Sequence, residues 1–191
     1  MGKIQQTYRY IKRNSILGDL HDDYHLSQEE FYKIYNFYVA YSMCGSQSAK
    51  KRSFIDYGWE TNTIKNSELG NALAKVVNFR NNTFAFAEND DLTIQFTKHN
   101  LIDPRGKLIN VDTERAVIAY TGEDNKYLKL FYRIRDGFAH GKYCLREASN
   151  GEKMVIIQDD NGKNVTARIV IKLSTLLRFV EVIDINNLIS C

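Results

Sequence analysis

Apolar positions recur at helical spacing over most of the chain and change to a period of two only near its end. Lys3 to Leu17 sets Ile4, Tyr8 and Ile11 on one side and predicts an amphipathic helix stopped by Gly18. Ser27-Gln28-Glu29-Glu30 is a capping box. The helix it opens is predicted to run to about Met43, with Phe31, Ile34, Tyr35, Tyr38, Val39 and Ser42 as its apolar stripe. Ser67 begins another through Leu69, Leu73, Val76 and Val77, read as far as Phe84. Leu92 to His99 forms a further short element. Tyr127, Leu130, Phe131, Ile134 and Phe138 make a continuous stripe along a helix over Asn125 to Ala139.

After Gly141 the alternation becomes that of strands: Lys142 to Ala148, Lys153 to Gln158 and Val165 to Lys172. Asn150-Gly151 and Asp160-Asn161-Gly162 supply the turns. Ser174 then caps a last helix to about Asn187, with Leu176, Leu177, Val180, Ile183 and Leu188 on its apolar side. Between the helices, Asp103-Pro104-Arg105-Gly106 has the residues of a type I turn. Lys107 to Val111 reads as a short strand, and Ala116 to Tyr120 fits either helix or strand. The pattern therefore predicts a mainly α fold, with a small antiparallel β-meander inserted before the last helix. It predicts one domain over 1–191: helical to 141, meander at about 142–172, C-terminal helix at about 174–188.

Composition changes this picture little. With 191 residues and 43% hydrophobic content, the chain can bury a core without disulfide or metal staples. A net charge of +3 permits nucleic-acid binding without arguing for it, since dedicated DNA binders are more basic and cluster their charge. The three cysteines, Cys44, Cys144 and Cys191, form no CxxC pair or zinc pattern, which fits free thiols in a reducing compartment. No apolar h-region or membrane-length span is present, so the expectation is a soluble cytoplasmic protein.

Three stretches carry candidate chemistry. His21-Asp22-Asp23-Tyr24-His25 sets two histidines four apart among aspartates, the spacing of a helical metal site, but a solvated loop is the plainer reading and no further ligands follow. No metal or cofactor is therefore expected. Lys50-Lys51-Arg52 could contact phosphate, although a solvated helix end accounts for it equally simply. The densest stretch is Arg135-Asp136-Gly137-Phe138-Ala139-His140-Gly141. Arg135 and His140 lie about 140° apart on an ideal helix, so one straight helix does not converge them on one ligand. Asp136 and His140 are four apart and share a face, where the carboxylate could fix the imidazole tautomer. Gly141 suits the left-handed position that ends a helix, and Gly137 suits a bend or a close neighbour. Arg135 and His140 can meet either through a distortion near Gly137 or across a two-fold axis between two copies. A cleft with two arginines and two histidines would hold a phosphodiester and supply proton transfer for RNA cleavage without a metal. The structural alternative is an arginine paired with a nearby acid and a histidine that merely ends a helix.

The stretch from Arg135 to Gly141, at the end of an aromatic-rich helix, resembles the signature of the HEPN superfamily (higher eukaryotes and prokaryotes nucleotide-binding): Arg, a polar residue, a few residues, then His. Arg135, Asp136, Ala139, His140 and Gly141 match its places, with Asp136 where Asn is commoner. The resemblance covers this local motif and its setting in the penultimate helix. It implies a HEPN-like helical bundle, a homodimer formed through the motif helix, and a metal-independent endoribonuclease in a toxin–antitoxin or anti-phage defence system. Arg135 and His140 would be catalytic, Asp136 would orient the histidine, and Lys142 and Arg133 would bind substrate. RNA and an antitoxin or regulatory protein would be the partners. The alternative within the same resemblance is a non-catalytic module that binds a nucleotide or a protein.

Overall fold

The computed structural model describes residues 21–44, 51–77, 83–88, 91–102, 110–119, 125–162 and 164–189. The predicted helix over Lys3 to Leu17 and the Asp103–Gly106 turn lie outside the described residues. In chain order the elements are α1 (Gln28–Ile34), which continues as a π-helical segment (Tyr35–Ala40), α2 (Glu68–Val76), β1 (Phe84–Ala87), α3 (Leu92–Lys98), β2 (Arg115–Ala119), α4 (Lys126–Ala139), β3 (Tyr143–Glu147), β4 (Lys153–Asp160), β5 (Val165–Lys172) and α5 (Leu173–Ile183).

The fold is not the mainly α bundle expected. The five strands form one mixed sheet in the order β1-β2-β5-β4-β3, and the architecture is α/β. The three predicted meander strands exist, pairing antiparallel, but they are one half of something larger. β5 also pairs antiparallel with β2, and β2 pairs parallel with β1. A parallel neighbour requires a crossover, and here the chain makes it through α3. The missed strands have a physical explanation. A strand covered on both faces loses the polar alternation that marks a half-exposed one, and all five residues of β2 are buried. β1 is only four residues, Phe-Ala-Phe-Ala, too short to show a period. The segment read as strand, Lys107 to Val111, ends ahead of the observed β2; within it, Asn110 and Val111 are not strand and 107–109 lie outside the described residues.

The sheet separates two cores. Ile118, Val155, Ile157, Ala167, Ile169 and Ile171 face α1, its π-helical continuation, α2, α4 and α5. Val117, Met154, Ile156 and Val170 face the other way, against Leu92 and Phe96 of α3 and the following Leu101 and Ile102. Phe131 centres the larger core, with its ring edge-on to Phe179 at 5.1 Å and to Tyr38 at 5.9 Å.

The helix ends largely follow their sequence signals. Ser27 and Glu30 form the reciprocal capping box, Ser67 accepts from Gly70 N–H, and Asn125 accepts from Tyr127 N–H. Two details differ. Ser174 lies inside α5, whose N-cap is Lys172 without a side-chain cap. The π-helical segment widens the turn, which rotates the apolar stripe. Ile34, Phe37 and Tyr38 are buried, whereas Phe31 and Tyr35 of the expected stripe are exposed, their rings stacked at 5.6 Å.

Among the described residues no helix is long and apolar enough to cross a membrane.

Candidate functional site at the end of α4

α4 presents Leu130, Phe131, Ile134 and Phe138 to the core and ends in a Schellman turn. His140 is the C-cap, and Gly141 takes a left-handed φ of 64°. Lys142 N–H reaches back to Gly137 O at 2.7 Å, and Gly141 N–H to Phe138 O at 3.3 Å. Gly137 marks a close approach rather than a bend: a Cβ there would overlap Ile157 Cγ2 on β4. The helix end is thus clamped onto the sheet, which fixes the direction of every motif side chain.

Arg135 is half-buried and folds back onto its neighbour, with Nη1 donating to Asp136 Oδ1 at 2.6 Å. Its Nε is buried and has no partner. Asp136 is buried, and its side chain is committed to Arg135, the expected partner of the phosphate; the expected bond to the His140 ring is not formed. The only tie between Asp136 and His140 is through the backbone, from His140 N–H to Asp136 O at 3.1 Å. On this side the pair borders Cys44, whose thiol donates to Leu128 O at 3.2 Å. Burial pushes that thiol up to about 12, against the lowering influence of Lys51 and Arg135.

His140 is exposed and points to a different neighbourhood, the end of β4. There Lys142 Nζ meets Asp160 Oδ2 at 2.8 Å. Asp160 is held below the usual carboxylate range: burial raises it, but the bonds from Lys142 and Gly162 N–H and the charges of Lys142 and His140 prevail. One turn earlier, Arg133 Nη1 bonds Asp159 Oδ2 and also reaches Thr166 Oγ1 at 3.0 Å. Thr166 in turn donates to Asp159 Oδ2 at 2.9 Å.

The five expected site residues therefore share one end of one helix but form two groups. Arg135 and Asp136 lie on the side of Cys44, and His140 with Lys142 lies beside Asp160, so a single chain does not converge Arg135 and His140. Lys142 and Arg133, expected to bind substrate, are each engaged by a carboxylate. Asp159 and Asp160 were read only as the run into a turn. Their role depends on β4 lying beside α4, which a local sequence pattern does not reveal. Tyr132, exposed on α4 with Arg133 stacked 5.4 Å from its ring, adds an aromatic to the same edge.

The other two candidate stretches have structural roles. Asp22 Oδ1 accepts Leu145 N–H at 2.7 Å, and Asp23 Oδ2 accepts Glu147 N–H at 3.0 Å while pairing with Arg146. The histidine–aspartate stretch thus ties down the exposed edge of β3. Arg52 lays its guanidinium over the Tyr41 ring at 4.1 Å, and Lys50 lies outside the described residues.

The chain matches no protein-family model, no curated protein and no solved structure.

Proposed function

We propose that the protein is a metal-independent endoribonuclease whose cleft forms where the α4 ends of two copies meet. Its setting would be a toxin–antitoxin or anti-phage system. The observation that carries the reading is the Schellman-capped end of α4, which holds His140 in solvent one helical turn from a half-buried Arg135 with a free Nε. The α/β architecture lends nothing to the resemblance, so the proposal rests on this helix end alone.

The two groups of side chains explain why two copies are required. A phosphodiester needs a cation on its non-bridging oxygens and a proton acceptor at the ribose 2′-hydroxyl. In a two-fold pairing the Arg135 of one copy faces the His140 of the other. The imidazole takes the 2′-hydroxyl proton, and the 2′-oxygen attacks phosphorus. The bond to the 5′-oxygen breaks, and that oxygen takes a proton from the second histidine. The products are a 2′,3′-cyclic phosphate and a 5′-hydroxyl. Exposed Tyr132 and Ala139 on the same edge of α4 provide apolar contact for the pairing.

The test is incubation of the protein with single-stranded and structured RNA in EDTA, beside His140→Ala and Arg135→Ala. Cleavage by the wild type alone, leaving cyclic phosphate ends, supports the reading. Equal cleavage by all three, or by none, removes it.

One observation favours a second reading, a non-catalytic module that binds a nucleotide or a protein. Asp136 neutralises Arg135, and Asp159 and Asp160 engage Arg133 and Lys142, so the cations of this end are already paired. RNA retention without cleavage would select it.

A further inference from the structure

Arg168 is a cation in an apolar core with most of its donors unused. It lies on β5, the middle strand of the sheet, opposite Val117 of β2 on one side and Gln158 of β4 on the other. Its side chain joins the core beneath α3, and only 3% of the residue is exposed. Nε donates to Gln158 Oε1 at 3.2 Å, and the guanidinium stacks 5.3 Å from the Phe96 ring. Nη1 and Nη2 are sealed from solvent and have no acceptor.

A second arginine shows what this environment ordinarily requires. Arg115 lies across from Val170, and Val170 is two residues from Arg168 on the same face of β5. It too is buried, yet its donors reach Thr113 O at 3.1 Å, His99 O at 3.2 Å and Asn110 Oδ1 at 3.3 Å. Arg168 has one such bond, and no acid offsets its burial, which pushes the guanidinium down to about 9. Buried charges are ordinarily paired, and an arginine whose Nε is already held presents Nη1 and Nη2 as a two-pronged donor. That edge matches two oxygens of one oxyanion.

We propose that Arg168 binds a small oxyanion, a phosphate or a carboxylate, as a structural ion taken up when the chain folds. Gln158 fixes the fork from one side, Phe96 covers its face, and the Nη1–Nη2 edge takes the two oxygens. The site lies on the face of the sheet opposite α4, so it is independent of the ribonuclease reading.

A ligand bound only by the folded state raises the melting temperature with its concentration. The experiment melts the whole chain in chloride, with phosphate or acetate replacing chloride at constant ionic strength, beside Arg168→Met. The expected result is a saturable rise for the wild type with at least one anion and none for Arg168→Met. Because phosphate also stabilises proteins through general exclusion from their surfaces, an equal rise in both proteins overturns the proposal. So does a wild type that responds to neither anion, the result expected if a segment of the chain itself supplies the counter-charge. Equilibrium dialysis of the wild type against labelled phosphate and labelled acetate decides the matter should Arg168→Met fail to fold. One ion per chain, lost in Arg168→Lys, supports the site, and no bound ion overturns it.

Discussion

Arg135 and Asp136 are successive residues of α4, and their side chains meet at 2.6 Å. Neighbours in sequence diverge by about 100° around a helix, so the contact depends on the long arginine stem folding back. The pair is only 19% and 11% exposed, which places it where water screens charge weakly. The arginine of the motif therefore presents to a phosphate a charge already partly offset.

Replacing that carboxylate by its neutral isostere separates the two effects. Asp136→Asn keeps the shape and the acceptor but removes the negative charge beside the guanidinium. RNA affinity should rise several-fold at low salt, with the gain shrinking as salt is added. Fluorescence anisotropy on a labelled oligonucleotide at several salt concentrations measures it, and an unchanged or weaker affinity contradicts the placement of Arg135 at the phosphate.

Gly137 tests the clamp between helix and sheet. Gly137→Ala should destabilise by about 1–3 kcal/mol, the usual range for overpacking, because Ile157 is fully buried and its Cγ2 occupies the added carbon's place. Adding Ile157→Ala removes that methyl. The double variant should therefore lose less stability than the two single losses summed, as read by denaturant titration. Strict additivity would mean that the close approach is not the cause.

The ion pair at the end of β4 predicts an acid limb. Asp160 has a lowered folded value, so its stabilising contribution is present above the ordinary value of 3.8 and is lost as pH falls below it, through the folded value. In Asp160→Asn, stability should decline less steeply below about pH 4. The carboxylate is 28% exposed, so the difference should be modest. Melts over a pH series measure it, and identical acid limbs contradict the assignment.

Where local chemistry decided structure, the sequence was legible. Ser27 with Glu30, Ser67 and Asn125 announce helix starts through side-chain caps, and Gly141 announces a helix end. β5 was found with its observed bounds, Val165 to Lys172. Long-range pairing was not legible. β2 has no alternation because both its faces are covered, and only its pairing with β5 shows that the meander is part of a five-stranded sheet. The site followed the same division. The Arg135–His140 spacing correctly implied that one helix does not converge them, whereas the choice of Asp136 by Arg135, and of Lys142 and Arg133 by Asp160 and Asp159, depends on rotamers and a neighbouring strand. Arg168 could have been noticed as the lone charge inside Val-Thr-Ala-Arg-Ile-Val-Ile.

The most direct test of a cleft shared between two copies is complementation. Arg135→Ala and His140→Ala are each purified, mixed under conditions that exchange subunits, and assayed on RNA in EDTA. A mixed pair holds one intact site, with arginine from one chain and histidine from the other. Part of the wild-type cleavage should therefore return on mixing, although each variant alone is inactive. Wild-type activity with no recovery in the exchanged mixture would contradict a cleft built from two chains.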